Sequence, residues 1–305
     1  MSITRIAAGV DGYPEGRDAV VLGAALAGAT HAELMLIAVH PDPLVLPHEM
    51  NWKSLKAQAE EILHELRDSL APGARTVVET DLSAARGLQR VVDREHRDLL
   101  VVGSSRRAPE GHVRIGKRAR QLLCHFQSAL AVAPRGIHEQ GDVRITRVGV
   151  GYDGGPEAQA ALALAAEIAT GSDAELRVRG VVDDRIRALG WSRIGTGAVI
   201  DPTPGWSAVG SGGVAEEWDE QVQSSEKSLR SQLEKSIAET GATATGEHVR
   251  GRPATALLEL SEQVDLLVIG SRRWGPVARL VLGSTGEAVL HDASCSVLVV
   301  PRPQE

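Results

Sequence analysis

The segment Arg5-Ile-Ala-Ala-Gly-Val-Asp11-Gly12 returns as Arg147-Val-Gly-Val-Gly-Tyr-Asp153-Gly154, and Ala32-Glu33-Leu34 returns as Ala174-Glu175-Leu176, both 142 residues on. Later blocks correspond at a longer offset. Asp98-Leu-Leu-Val-Val-Gly103-Ser104 matches Asp265-Leu-Leu-Val-Ile-Gly270-Ser271, and Pro134-Arg135 matches Pro301-Arg302, 167 residues on, so the second copy holds 25 extra residues. A self-match spanning several strand-like and helix-like segments means two whole domains, since solenoid repeats have periods of about 20 to 50 residues. The 305 residues thus divide into units of about 150, each long enough to bury a core without disulfides or metals. Every position at which the copies differ bears on which of them keeps a site.

Composition narrows the class. Hydrophobic residues make up 43% of the chain but aromatic ones only 3%, so the core must be built from Ala, Val, Leu and Ile. The two cysteines do not correspond, Cys124 matching His291 and Cys295 matching Ser128. No disulfide framework or metal spacing results, and small buried thiols are expected. No apolar run reaches the roughly 18 residues of a membrane span, and the amino terminus enters a strand without a cleavable leader, so a cytoplasmic protein with no membrane partner is expected. A net charge of −7 argues against nucleic acid as a partner, which needs a basic face.

In the first copy, apolar Ile3 to Val10 ends at Asp11-Gly12 and reads as a buried strand closed by a tight turn. Pro14 and Glu15 suit the first turn of a helix whose apolar face is Ala19, Leu22, Ala25, Leu26 and Ala29. Strands are then expected over Glu33 to Val39, Thr76 to Glu79, Leu99 to Val102 and Ala129 to Ala133. Helices are expected over Trp52 to Leu70, around Leu88 to Val92 and around Lys117 to His125. Continuously apolar strands alternating with helices imply a parallel, doubly wound, Rossmann-like sheet covered on both faces. Its ligand crevice belongs at the carboxyl ends of the strands. The boundaries expected are 1–138 for the first domain and 143–305 for the second, whose stretch 186–213, rich in Gly, Pro, Ser and Trp, reads as a long loop, as lid, drift or disorder alike.

Gly270-Ser-Arg-Arg273, continuing to Gly283-Ser284-Thr285, begins at the end of a strand and finishes at the start of a helix. Glycines there let backbone amides approach an anion, the helix N-terminus adds partial positive charge, and the hydroxyls can donate to phosphate oxygens. A Gly-rich turn with Ser284 as an ordinary N-cap fits the local sequence as well. Gly111-His-Val-Arg-Ile-Gly116-Lys117-Arg118 imitates a P-loop, but Arg118 stands where a serine or threonine should hold magnesium and polar loop precedes Gly111, so that motif is rejected.

The spacing of glycine, two residues, glycine, nine residues, glycine and then serine or threonine resembles the signature of the universal stress protein family, and the Val10-Asp11-Gly12 strand end with its copy fits the same family. The likeness covers nearly the whole chain outside the inserted loop. It implies two tandem five-stranded parallel α/β domains forming an internal pseudo-dimer, and ATP or a related adenine nucleotide as the cofactor, with or without magnesium. Carried over by position, Asp153 would contact ribose, Gly151 would lie beside adenine, the Val181 backbone would read the adenine edge, and Ile269 would line the same wall. Gly270, Gly283 and Ser284, with Thr285 beside them, hold the phosphate places, and Arg273 replaces the second glycine. The first copy offers Gly9, Asp11, Val39 and Val102 on the adenosine side. It keeps Gly103 and Gly116 but has Arg106 for the second glycine and Lys117 for the hydroxyl residue. Arg273 would either block the backbone approach or supply a cation with bidentate geometry suited to phosphate, and Lys117 would bring charge rather than a hydroxyl, leaving the first site able to take an anion with altered geometry or vestigial. With one departure against two, the second copy is expected to be the main site.

Arg106, Arg107, Arg114, Lys117, Arg118 and Arg120 form a basic cluster that either steers polyphosphate to the first crevice or is a solvated helix start. No pair of the ten histidines has metal-ligand spacing with a third ligand nearby, and no nucleophile elbow occurs. Asp11 and Asp153 each lack a partner carboxylate for acid–base work, so ribose binding or helix capping suits them better. The expectation is a stress-response protein that binds an adenine nucleotide for sensing or signalling rather than turnover. A weak ATPase and a nucleotide-free interaction module are the alternatives. The closing strands Leu130 to Val132 and Val297 to Val300 are edges that a tandem chain can pair internally, and a homodimer of tandem chains is compatible with the sequence.

Overall fold

The computed structural model describes residues 2–40, 52–116, 120, 128–182, 227–271 and 283–301. Lys117, Arg118, Cys124, Arg273, the helix expected from 117 to 125 apart from Arg120, and the loop 186–213 lie outside them. The first half runs β1 (Arg5–Val10), α1 (Pro14–Thr30), β2 (Glu33–His40), α2 (Trp52–Leu70), β3 (Arg75–Thr80), α3 (Ala84–Arg94), β4 (Leu99–Gly103) and β5 (Ala129–Ala133). After a 3-10 turn (Ile137–Gln140) come β6 (Arg147–Tyr152), α4 (Pro156–Ser172), β7 (Glu175–Val182), α5 (227–240), β8 (Ala244–Arg250), α6 (Pro253–Ser261), β9 (Leu266–Gly270), α7 (Ser284–Asp292) and β10 (Ser296–Val300).

All ten strands join one sheet in the order β3-β2-β1-β4-β5-β10-β9-β6-β7-β8. Each half is a five-stranded parallel sheet. The halves meet at a single antiparallel seam, where Leu130, Ala131 and Val132 face Val299, Leu298 and Val297. The closing strands are therefore the centre of the sheet, and among the described residues its edges are β3 and β8. One apolar layer unites Ile6, Leu22 and Leu36 with Val148, Leu162 and Val178 on the face covered by α1 and α4. The other holds Leu100, Val132, Leu267, Val297 and Leu290. The two first helices meet across the seam, where a Cβ on Gly171 would lie 1.7 Å from the carbonyl oxygen of Ala29. Only glycine permits that crossing.

The duplicated Asp-Leu-Leu-Val blocks have a structural cause. Asp98 Oδ2 accepts from Thr4 N, Thr4 Oγ1 and Arg5 N, each at 2.9 Å, and Asp265 Oδ2 accepts from Thr146 N, Thr146 Oγ1 and Arg147 N at 2.9, 2.7 and 2.9 Å. Each aspartate pins the start of the neighbouring strand and so sets the register on which the carboxyl ends depend. The helix ends repeat too. His31 and Asp173 cap α1 and α4 in the left-handed region, with φ of 54° and 52°, a conformation Asn, Asp and His adopt more readily than most residues.

Candidate functional site

Right-handed crossovers bring the carboxyl ends of β1, β2 and β4 to one edge of the first half, against α3 and the first turn of α1. There they frame a cleft of about 620 Å³. Gly9, Asp11, Val39, Val102, Gly103, Arg106 and Gly116 all line it, joined by Glu15, Gly16, Ala84, Ala85, Leu88, Ser104, Ser105 and Arg107. Its volume falls in the range of about 300 to 1,000 Å³ typical of small-molecule sites. Val39, Val102, Ala85 and Leu88 make one end apolar, and Ser105, Arg106, Arg107 and Gly116 make the other polar and cationic.

The equivalent cleft in the second half is smaller, about 160 Å³, and brings together Gly151, Asp153, Val181, Ile269, Gly270, Gly283 and Thr285. Ser284 is exposed and does not line it, while Gly286 does. Among the described residues the roomier crevice is thus the first. Helix α7 opens at Gly283, which is extended at φ −72° and ψ 171° and, as glycine, brings no capping side chain of its own, so the first amides of α7 can serve an anion.

The glycines have distinct reasons. A Cβ on Gly103 would stand 2.0 Å from the carbonyl oxygen of Glu15, and one on Gly270 would stand 2.7 Å from that of Glu157. These glycines admit the first turns of α1 and α4 against the strand ends, and protein backbone fills the space on their Cβ side. Gly116 is different: among the described residues Ser105 Cβ is the nearest heavy atom, at 3.7 Å, so on their side it presents an open backbone to the cleft. Gly9 and Gly151 are roofed by Leu88 and Leu257, at 3.1 and 2.9 Å from where a Cβ would be.

Asp11 Oδ1 accepts a long hydrogen bond from Tyr13 N at 3.3 Å, and Asp153 Oδ1 accepts from Gly155 N at 3.0 Å. Both carboxylates close the strand-to-helix turn while standing at the cleft mouth. Arg106 sits with its guanidinium 4.1 Å from the centroid of the Tyr13 ring, a cation–π geometry. The basic segment after β4 is loop through Gly116, braced by Ser104, whose buried hydroxyl donates to Ala133 O at 2.7 Å and accepts from Arg114 N at 3.2 Å.

Sequence reasoning placed Glu15 only in a first turn. The structure makes it a cleft residue, with Oε2 buried and without a hydrogen-bond partner among the described residues and Oε1 3.9 Å from Arg135 Nε. Glu157 lines the second cleft at the matching position. The signal was available, because Glu15 and Glu157 correspond in the duplication. Cys295 is buried, and burial pushes its thiol up to about 12, the inert state expected of it.

Two doubly wound α/β units are fused edge to edge, each with a cleft at the carboxyl end of its parallel strands, the place where open α/β sheets take ligands. The chain belongs to the universal stress protein family, whose model matches residues 2–134 and 199–301. A universal stress protein of Mycolicibacterium smegmatis is 26% identical over 98% of this chain and 97% of its own length. One from Synechocystis is 35% identical over 29% of this chain and 86% of its own length. A universal stress protein from Archaeoglobus fulgidus shares the fold at a TM-score of 0.65, with 17% identity over 98% of each chain.

Proposed function

We propose that the chain binds an adenine nucleotide, with ATP the favoured form, and that occupancy serves sensing or signalling in the cytoplasm under stress rather than turnover. The observation that carries this is the first cleft. Residues drawn from five separate places in the sequence converge on one ligand-sized space, apolar where a base would lie and cationic where phosphates would. Val39 and Val102 suit the flat base, Asp11 suits the ribose hydroxyls, and the open backbone of Gly116 with the guanidinium of Arg106 suits the phosphates. The second cleft, with Asp153, Val181 and the amides after Gly283, is assigned the same ligand in a tighter space. Domains of 1–138 and 143–305 put one site in each.

Magnesium fits as a companion of the nucleotide. Among the described residues no three His, Cys, Asp or Glu side chains converge, so the phosphates would hold the ion, with Asp11 and Glu15 the carboxylates at the first cleft. When bound it would neutralise phosphate charge.

Calorimetric titration of the purified chain with MgATP, with Asp11→Ala and Asp153→Ala as single-site variants, tests this. Binding in the micromolar range, weakened at one site by each variant, is expected. Absence of binding at millimolar nucleotide sinks the proposal and leaves a nucleotide-free interaction module. Phosphate release near the enzyme median of about 10 per second replaces sensing with catalysis.

A further inference from the structure

The loop that supplies the phosphate end of the first cleft is not held by the first domain alone. From Gly111 it crosses to the second half. Val113 N donates to Ala293 O at 2.8 Å, and Ile115 N donates to Leu290 O at 2.9 Å. His112 Nε2 and Ser294 Oγ stand 3.4 Å apart. Val113 is wholly buried in the same apolar cluster as Val289, Leu290 and Ala293, and Ile115 packs against it. Both acceptor carbonyls belong to the C-terminal end of α7 and the residue that follows it. The N-terminal end of that helix, with Gly283 and Thr285, lines the second cleft, and Gly116, the next residue after Ile115, lines the first.

One nine-residue helix therefore lines the second site at one end and at the other is bonded to the loop that leads into the first, its ends separated by only about 13 Å at 1.5 Å per residue. A ligand hydrogen-bonded to the first amides of α7 restrains the helix along its axis. That restraint fixes the carbonyls to which the first cleft's loop is bonded. A loop already ordered costs a second ligand less to bind, which is positive cooperativity without a large movement.

We infer that α7 couples the two crevices, so that occupancy of the second orders the loop Gly111–Gly116 and tightens binding at the first. This rests on nucleotide binding at both clefts. By thermodynamic linkage the reverse effect must be equal, and coupling of the usual size would be a change in affinity of about 5-fold or more.

The test uses the full chain with MgATP. In Asp11→Ala, whose first cleft is disabled, filling the second is expected to slow amide hydrogen exchange at Val113 and Ile115 about 5-fold or more, although neither residue lines that cleft. In calorimetry, closing the second cleft with Gly283→Val should weaken the first by a similar factor. Ile115→Pro, which removes one donor, should abolish the dependence, while Ile115→Ala, which keeps the donor, should retain it. Unchanged exchange with the second cleft demonstrably filled, or a first-site affinity indifferent to Gly283→Val, overturns the coupling even if Ile115→Pro fails to fold. Absence of MgATP binding at either cleft refutes nucleotide binding itself, a separate outcome that removes the coupling with it.

Discussion

At the scale of single residues, Tyr13 and Arg106 show how a departure from the family pattern can be put to use. The arginine in the place of the second glycine lines the first cleft, and the ring of Tyr13 holds its guanidinium at the end proposed for phosphates. An exposed cation–π contact contributes only about 0.5 to 1 kcal/mol, so its effect is to orient the side chain rather than to stabilise the fold. Tyr13→Ala should weaken ATP about 3-fold while leaving adenosine unchanged, and Tyr13→Phe should restore ATP. Equal losses for ATP and adenosine in a titration series would show that Tyr13 does not orient a phosphate ligand. The glycines teach the opposite lesson. Gly103 and Gly116 look alike in the sequence, yet the first is demanded by the backbone of α1 and, among the described residues, only the second is open. Gly103→Ala should cost about 2 kcal/mol or more in urea unfolding, the scale of overpacking a filled site, and Gly116→Ala close to nothing. No spacing rule separates those cases, because the atom that decides Gly103 is a carbonyl oxygen from another element.

At the scale of elements, strands and helices were legible from apolar runs and their punctuation, and the doubly wound arrangement followed from their alternation. What the sequence could not show is how each edge of the sheet is protected. Strand β3 is exposed at one edge, and α3 lays Arg86, Arg90 and Arg94, one per turn, over Glu79 and Asp81. Charged side chains along an edge discourage pairing with another chain. Burial alone would raise the Glu79 carboxyl, but Arg94 and Arg90 together outweigh it and hold the group below its ordinary 4.5. For Asp81 burial is likewise outweighed, by the Ser83 amide and by Arg86 and Arg90, and the group lies below its ordinary 3.8. Folded values below unfolded ones mean that this stability is fully present above the unfolded pKa and is lost as pH falls through the folded one. Urea midpoints should therefore drop as pH is lowered from 5 towards 3 in the wild type, and more shallowly in Arg90→Ala, so that the two converge in acid. A constant gap between them across that range would mean that the network carries no linked protons.

At the scale of the whole molecule, the duplication shown by the sequence becomes a pseudo-dimer whose seam, β5 against β10, consumes the strand edges that the closing segments would otherwise expose. Symmetry is broken where one chain must join the halves. The turn after β5 is anchored by Asp18, fully buried on α1, whose Oδ2 accepts from Gly136 N at 3.0 Å and whose Oδ1 accepts from His138 N at 3.0 Å, with His138 Nδ1 at 2.5 Å. The matching residue on α4 is Ala160, which carries no carboxylate to make such an anchor. Sequence repetition hid this, since a residue that serves the linker has no counterpart to reveal it. Removing the carboxylate strands two backbone donors in a buried place, at a cost of about 1 to 3 kcal/mol each when no replacement partner is found. Asp18→Ala should therefore lower stability by about 3 kcal/mol, measured by urea unfolding. The linker sits between the cleft of the first domain and the seam, and Arg135, one residue before Gly136, approaches Glu15 in that cleft. Loosening the anchor should also weaken MgATP at the first site more than at the second in calorimetry. An Asp18→Ala chain that unfolds earlier yet binds equally at both sites would separate the linker's structural role from the site.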